Sequence, residues 1–183
     1  MKKTLLYLLC IPIISFSSVV SALPPDDDPP PDLNLNPWPN VYITANLGYG
    51  RVNQRIAPPR TLKNSGFTLN TAAGIQVFRF ISAEGVFVDF PEVKGTAGFH
   101  ATGAGAGLKF NYQPLGTEFS TYIRSGFLST SRGTTVSTYA GAGVIYYFNN
   151  YVGIGVEGFN VFGRLMLPNT LTITGNLVGR FPF

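Results

Sequence analysis

Three observations predict an all-β chain of eight antiparallel strands closed into a transmembrane barrel. From residue 40 onward the chain repeats one theme: ten or so residues of apolar–polar alternation, then a polar or Gly/Pro break. Charged residues are only 12% of the chain, against about 25% in a soluble domain. The last strand-like segment, with Leu171, Ile173, Leu177 and Phe181 alternating against Thr172, Thr174, Asn176 and Arg180, ends on Phe183. A strand with one oily and one polar face that stops on an aromatic suits a wall between lipid and a polar lumen.

The predicted strands are 41–52, 66–78, 82–90, 99–112, 117–128, 135–148, 151–162 and 170–183. In the first, Val41, Ile43, Ala45, Leu47 and Tyr49 share one face, and Tyr42, Thr44, Asn46, Gly48 and Gly50 the other. The second sets Phe67, Leu69, Ala73, Ile75 and Val77 against Thr68, Asn70, Gly74 and Gln76. The third has two readings, because Val86 and Phe87 are both apolar neighbours. The fourth opposes Ala104, Ala106, Leu108, Phe110 and Tyr112 to Gly103, Gly105, Gly107, Lys109 and Asn111. The sixth opposes Ala140, Ala142, Val144, Tyr146 and Phe148 to Ser137, Tyr139, Gly141 and Gly143. The seventh opposes Val152, Ile154 and Val156 to Gly153, Gly155 and Glu157. The breaks at 79–81, 113–116 and 149–150 are short, and those at 53–65, 91–98, 129–134 and 163–169 are longer, as in a barrel with tight turns at one rim and loops at the other.

Alternation alone fits a soluble barrel with its faces exchanged. The polar face decides against it. Gly, Asn, Thr, Glu, Lys and Arg fill a narrow lumen well. Aromatics also crowd both strand ends, with Phe110, Tyr112, Phe119, Tyr146, Phe148, Phe181 and Phe183 near the short turns and Tyr49, Phe67, Phe87, Phe99 and Phe127 near the loops. Amphipathic rings at two levels form interfacial girdles.

The beginning of the chain has a different character. Lys2 and Lys3 precede an apolar run from Leu5 to Phe16, and Val20, Ser21 and Ala22 offer small or apolar residues for cleavage, so residues 1–22 are expected to be a secretory signal peptide. The run is shorter than the ~20 residues of a spanning helix. Cys10 is the only cysteine and lies within it, so no disulfide framework is expected in the exported chain. Residues 23–39 carry seven prolines and four aspartates, an extended spacer on the periplasmic side. The formal charge of +4 hides this acidic tail, because eleven Lys or Arg stand against five acids from residue 40 on.

These residues resemble a known family. The eight-strand plan, Leu47, Gly48, Tyr49 and Gly50 ending the first strand, Ala72, Ala73, Gly74 and Ile75 leading to a short turn, and the terminal Phe183 are similar to the OmpA/OmpX-type small outer-membrane barrels over residues 40–183. The resemblance implies a barrel inserted in the outer membrane of a Gram-negative cell by the barrel assembly machinery, which would read Phe181 and Phe183. Nothing follows Phe183, so no peptidoglycan-binding domain is expected.

Inward parity selects Glu84, Lys109, Glu118, Arg124, Glu157 and Arg180, three acids and three bases, as an expected lumen ion-pair network. An eight-stranded barrel has just enough interior for side chains, so such a network would plug it. Arg51, Arg55, Arg60, Lys63, Lys94, Arg132 and Arg164 fall in or beside the long loops, a basic outer rim suited to the phosphates of outer-membrane lipids, lipopolysaccharide included. The compartment speaks against nucleic acid. His100 is the only histidine, and no Ser or acid at a telling spacing makes it a catalytic centre; one His and scattered carboxylates form no metal set. Gly103, Gly105 and Gly107 sit in a strand with no following helix, so they make room in the lumen rather than cradle phosphate. The expected role is non-catalytic, structural or surface-interacting, without a cofactor. A narrow gated channel and, further off, a lipid-A-modifying enzyme are the alternatives.

Overall fold

A computed structural model describes residues 38–56, 60–91, 101–114, 117–131, 136–163 and 169–183, with backbone alone for 54–56 and 60–64. Its strands are β1 (Asn40–Ile56), β2 (Arg60–Phe78), β3 (Ile81–Asp89), β4 (Thr102–Tyr112), β5 (Phe119–Thr130), β6 (Ser137–Tyr147), β7 (Val152–Phe162) and β8 (Asn169–Pro182). Each pairs antiparallel with its neighbour, and β1 pairs with β8, from Asn40 opposite Pro182 to Asn53 opposite Asn169. The sheet is therefore a closed barrel with no seam between first and last strands, which satisfies the backbone groups that lipid cannot. The predicted signal peptide and nearly all of the Pro/Asp-rich tail lie outside the described residues.

The alternation of the sequence becomes two surfaces. Leu47, Ile75, Val144 and Leu177 point outward and are exposed, while Asn46, Asn70, Glu84, Arg124, Glu157 and Asn176 point inward and are buried. An apolar exterior around a polar, charged interior is the reverse of a soluble core. The third strand takes the parity that the sequence left open: Val86 is inside at 4% exposure and Phe87 outside at 43%. Rings ring the barrel at both ends. Phe110, Tyr112, Phe119, Phe148, Phe181 and Phe183 are exposed near the short turns, and Tyr49, Phe67, Phe87 and Phe127 near the other rim. Tyr49 meets Phe67 edge-on at 6.5 Å, and Phe119, Tyr146 and Phe148 make a chain of contacts at 5.1 and 5.4 Å.

One expected loop is a strand pair instead. The sequence predicts a break at 53–65, yet β1 and β2 stay in register from Asn53 opposite Lys63 to Ile56 opposite Arg60. The ribbon rises past the point where β3 leaves β2, at Leu69 opposite Asp89. Past Asn53 on β1 and Leu69 on β2 the two strands pair only with each other, so no wall demands alternation there and the strand signal fades from the sequence while backbone pairing persists.

Candidate functional site: a filled lumen

Inward parity on β3, β4, β5 and β7 brings Glu84, Lys109, Arg124 and Glu157 to one level of the lumen, each 4% exposed or less. Arg124 sits between the two acids. Its Nε is 2.5 Å from Glu157 Oε1, and its Nη1 is 3.6 Å from Glu84 Oε1. Polar side chains from other strands complete the carboxylates. Tyr42 OH donates to Glu84 Oε2 at 3.0 Å and Tyr139 OH to Glu84 Oε1 at 3.4 Å, while Asn46 Nδ2 donates to Glu157 Oε2 at 3.0 Å. The acids thus collect donors from β1, β5 and β6, so the cluster ties distant strands across the barrel axis.

Lys109 is held differently. Its ammonium lies 4.5 Å from the centre of the Tyr42 ring and 4.2 Å from that of Tyr122, a cation clasped between two π faces. Tyr122 is itself fixed by Asn176, whose Nδ2 donates to the Tyr hydroxyl at 2.7 Å. The Arg124 guanidinium also covers Phe159 at 4.8 Å. Two acids and two bases meet here, so the layer carries no net formal charge, which lowers the cost of burying it.

Glycine makes the space for these rings. Tyr42 pairs with Gly74 across β1 and β2, Tyr122 with Gly143 across β5 and β6, and Tyr139 with Gly126 on β5. A β-carbon at Gly74 or Gly143 would come within 2.6 Å of the ring lying over it, and one at Gly107 within 2.2 Å of the Tyr139 hydroxyl. Each of these three tyrosines lies beside a strand neighbour that has no side chain.

Two covers close the charged layer. Toward the long loops, Ala72, Val86, Val88, Phe90, Ala101, Leu128, Phe159 and Val161 pack with Tyr139 as a buried apolar cluster. Toward the short turns lie Tyr122, Ile145, Tyr147 and Val178. Arg180, 3% exposed, lies in that lower part with its guanidinium 3.5 Å from the Tyr147 ring centre. Asn40, Gln76 and the Arg79 carbonyl form a hydrogen-bonded chain at the mouth.

Of the six charged residues assigned to the lumen, Glu118 is misplaced. It has inward parity but stands exposed in the bend before β5 begins at Phe119, where its carbonyl accepts from Tyr147 N at 2.8 Å. Parity assigns a side only where the strand already forms the wall. Lys109 and Arg180 are inside, yet they are held by rings rather than by the carboxylates alone. Sequence reasoning did not single out Tyr42, Tyr122, Tyr139 or Asn46 as members of the site. The available signal was a tyrosine on the polar face of a glycine-rich wall.

Among the basic rim residues, Arg51 is exposed on the outer face, one pair above Tyr49 and Phe67. Arg55, Arg60 and Lys63 belong to the β1–β2 ribbon. Lys94, Arg132 and Arg164, and also His100, lie outside the described residues. Phe181 and Phe183 are exposed at the end of β8, where Phe183 N donates to the Pro39 carbonyl at 3.3 Å. Among the described residues no three His, Cys, Asp or Glu gather to hold a metal.

Solved structures with this architecture share it at low sequence identity. Neisserial surface protein A superposes with a TM-score of 0.60 at 12% identity, over 78% of this chain and 97% of that one. The fold is that of the small eight-stranded outer-membrane barrels. The N-terminal barrel domain of Pseudomonas aeruginosa OprF follows at 0.54 and 12%, over 78% and 97% of the two chains. The attachment invasion locus protein Ail of Yersinia pestis, in complex with the heparin analogue sucrose octasulfate, gives 0.51 and 16%, over 78% and 99%. No protein-family model and no curated protein sequence matches the chain. What fills this barrel is a neutral ionic layer clasped by tyrosines and lidded by an apolar plug.

Proposed function

We propose that this protein is an integral barrel of the outer membrane, exported by its signal peptide, whose lumen is shut and whose role is non-catalytic: it contributes to the membrane's structure or to contacts at the cell surface. The observation that carries the reading is the buried Glu84–Arg124–Glu157 cluster, which spans the interior beneath an apolar lid. A lumen occupied by side chains from nearly every strand leaves the outer rim and the exterior as the working surfaces. Arg51, just beyond the Tyr49–Phe67 contact, fits anionic lipid headgroups, lipopolysaccharide among them, and Lys63, Arg55 and Arg60 follow it along the ribbon. Phe181 and Phe183 at the end of β8 fit recognition by the assembly machinery.

The test joins two measurements. Extracted outer membranes run with and without boiling show a shift in migration for a folded barrel. The purified barrel in a planar bilayer is silent, and it remains silent in Lys109→Ala. Discrete conductance steps in the wild type would replace this reading with that of a gated channel. An altered lipid A on overexpression, lost in His100→Ala, would replace it with that of an enzyme.

A further inference from the structure

The lipid-facing band is not uniform around the barrel. Between the two aromatic girdles, β1 to β4 and β8 present apolar or small side chains outward, Thr71 apart. On β5 and β7, by contrast, Ser125 and Asn160 face the same way, with Thr138 of β6 above them in the girdle row of Phe127. Ser125, Ala140 and Asn160 are successive partners across the three strands. The next row toward the loops is Phe127, Thr138 and Phe162, and the next row in the other direction is Ile123, Ala142 and Gly158. Two strand spacings, roughly 10 Å, separate Ser125 from Asn160, so with Ala140 between them their side chains cannot meet. Neither they nor the Thr138 hydroxyl bond another described residue. The exposed Thr121 on the same sector does, donating to the Tyr112 carbonyl at 3.4 Å. The patch has a low floor as well as polar sides: Ala140, Ala142 and Gly158 lie along it, and a β-carbon at Gly158 would meet nothing within 4 Å.

We propose that the outer face of β5–β7 is a self-association surface, on which a second copy of this chain docks side by side in the membrane. The proposal rests on the membrane-embedded reading above. Hydrocarbon offers no hydrogen-bond partner, so the Asn160 amide and the Ser125 hydroxyl facing it gain by meeting their images, with Thr138 adding a donor and acceptor at the girdle. A two-fold axis along the membrane normal keeps both apolar bands at the same depth and sets the patch against its own image. Self-contact requires groups that both donate and accept, and Asn, Ser and Thr each do. Small residues between the Phe127 and Phe162 ridges let two walls approach closely. A lipid acyl chain would cover the floor but leave Asn160 and Ser125 unpaired, which is why a second copy fits better.

Cysteine scanning tests this directly, because Cys10 in the predicted signal peptide is the only native cysteine. The full chain carrying Ala140→Cys is oxidised in isolated outer membranes and run without reductant, beside Ala73→Cys on β2 at the opposite side of the barrel. A cross-linked dimer is expected for Ala140→Cys and not for Ala73→Cys. Adding Asn160→Leu to Ala140→Cys weakens association about tenfold, the effect of losing one hydrogen-bonded contact in lipid, and the dimer band falls accordingly. Heat-modifiability shows that each variant is folded. The proposal is overturned if folded Ala140→Cys stays monomeric, if both positions cross-link equally, if Asn160→Leu leaves the dimer unchanged, or if native mass spectrometry finds retained lipid in place of a second copy. Failure of the membrane reading looks different: the protein would be missing from the outer-membrane fraction and would show no heat-modifiable band.

Discussion

The charged layer and the apolar plug occupy the same lumen, two residues apart along the same strands, and are held by opposite means. Glu84 is followed inward by Val86, Arg124 by Gly126 and Leu128, and Glu157 by Phe159. In the lower layer every side chain has assigned partners: Arg124 between two carboxylates, Lys109 between two rings, Glu84 accepting from two tyrosines. In the upper layer side chains touch without direction. Burying ions against the axis gains little net stability, but it penalises every arrangement that leaves one of them unpaired. Packed Val, Leu and Phe contribute stability and tolerate exchange of shape at constant volume. The difference teaches that the plug closes the barrel, while the charged layer dictates which strand faces which.

The largest expected effect comes from taking the shared cation out of the lower layer. Arg124→Met leaves Glu84 and Glu157 buried beside each other, at a cost of about 3–5 kcal/mol. Urea unfolding of the barrel refolded into lipid vesicles measures it, and the double replacement Arg124→Met, Glu157→Gln, which leaves buried Glu84 balanced by buried Lys109, is expected to recover most of the loss. If the double variant is as weak as Arg124→Met alone, uncompensated charge is not the cause.

In the plug, the corresponding deletion is Leu128→Ala. It opens a cavity among Phe90, Phe159 and their neighbours and costs about 2–5 kcal/mol, whereas Leu128→Met stays under about 1.5 kcal/mol. The same unfolding assay separates them. Equal costs for the two would deny that the plug is held by volume.

The smallest effect sharpens the contrast with one methyl group in each layer. A β-carbon at Gly141 falls 2.7 Å from Glu157 Oε1 and 3.3 Å from Arg124 Cγ, groups pinned by their ion pair. One at Gly103 falls 2.8 Å from Leu128 Cδ2, the free end of an adaptable side chain. Gly141→Ala is expected to cost about 1–3 kcal/mol and Gly103→Ala less than about 1 kcal/mol. The reverse order would show that the plug is the more rigid of the two.

Much of this was legible before any coordinates. Alternation placed Leu47, Ile75, Val144 and Leu177 outside and Glu84, Lys109, Arg124 and Glu157 inside, because the two-residue repeat of a strand leaves no third choice once the wall exists. Where the wall stops, the rule stops with it, so Glu118 was misassigned and the ribbon through Ile56 and Arg60 was missed. Val86 and Phe87 could not be separated locally, since the choice between two apolar neighbours is made by register with β2 and β4.

The sequence by itself determined the number of strands, the two faces and the belts of aromatic rings, since each follows from the spacing of residue types along the chain. Only the tertiary structure decided the partners. Closure of β1 on β8 brings Asn46 to Glu157, Tyr42 reaches Glu84 over Gly74, and rings from β1 and β5 close on Lys109 from β4. The meetings of Tyr42 with Lys109 and of Tyr139 with Glu84 join strands three apart, and distance across a closed cylinder is set by strand number and stagger rather than by any local pattern.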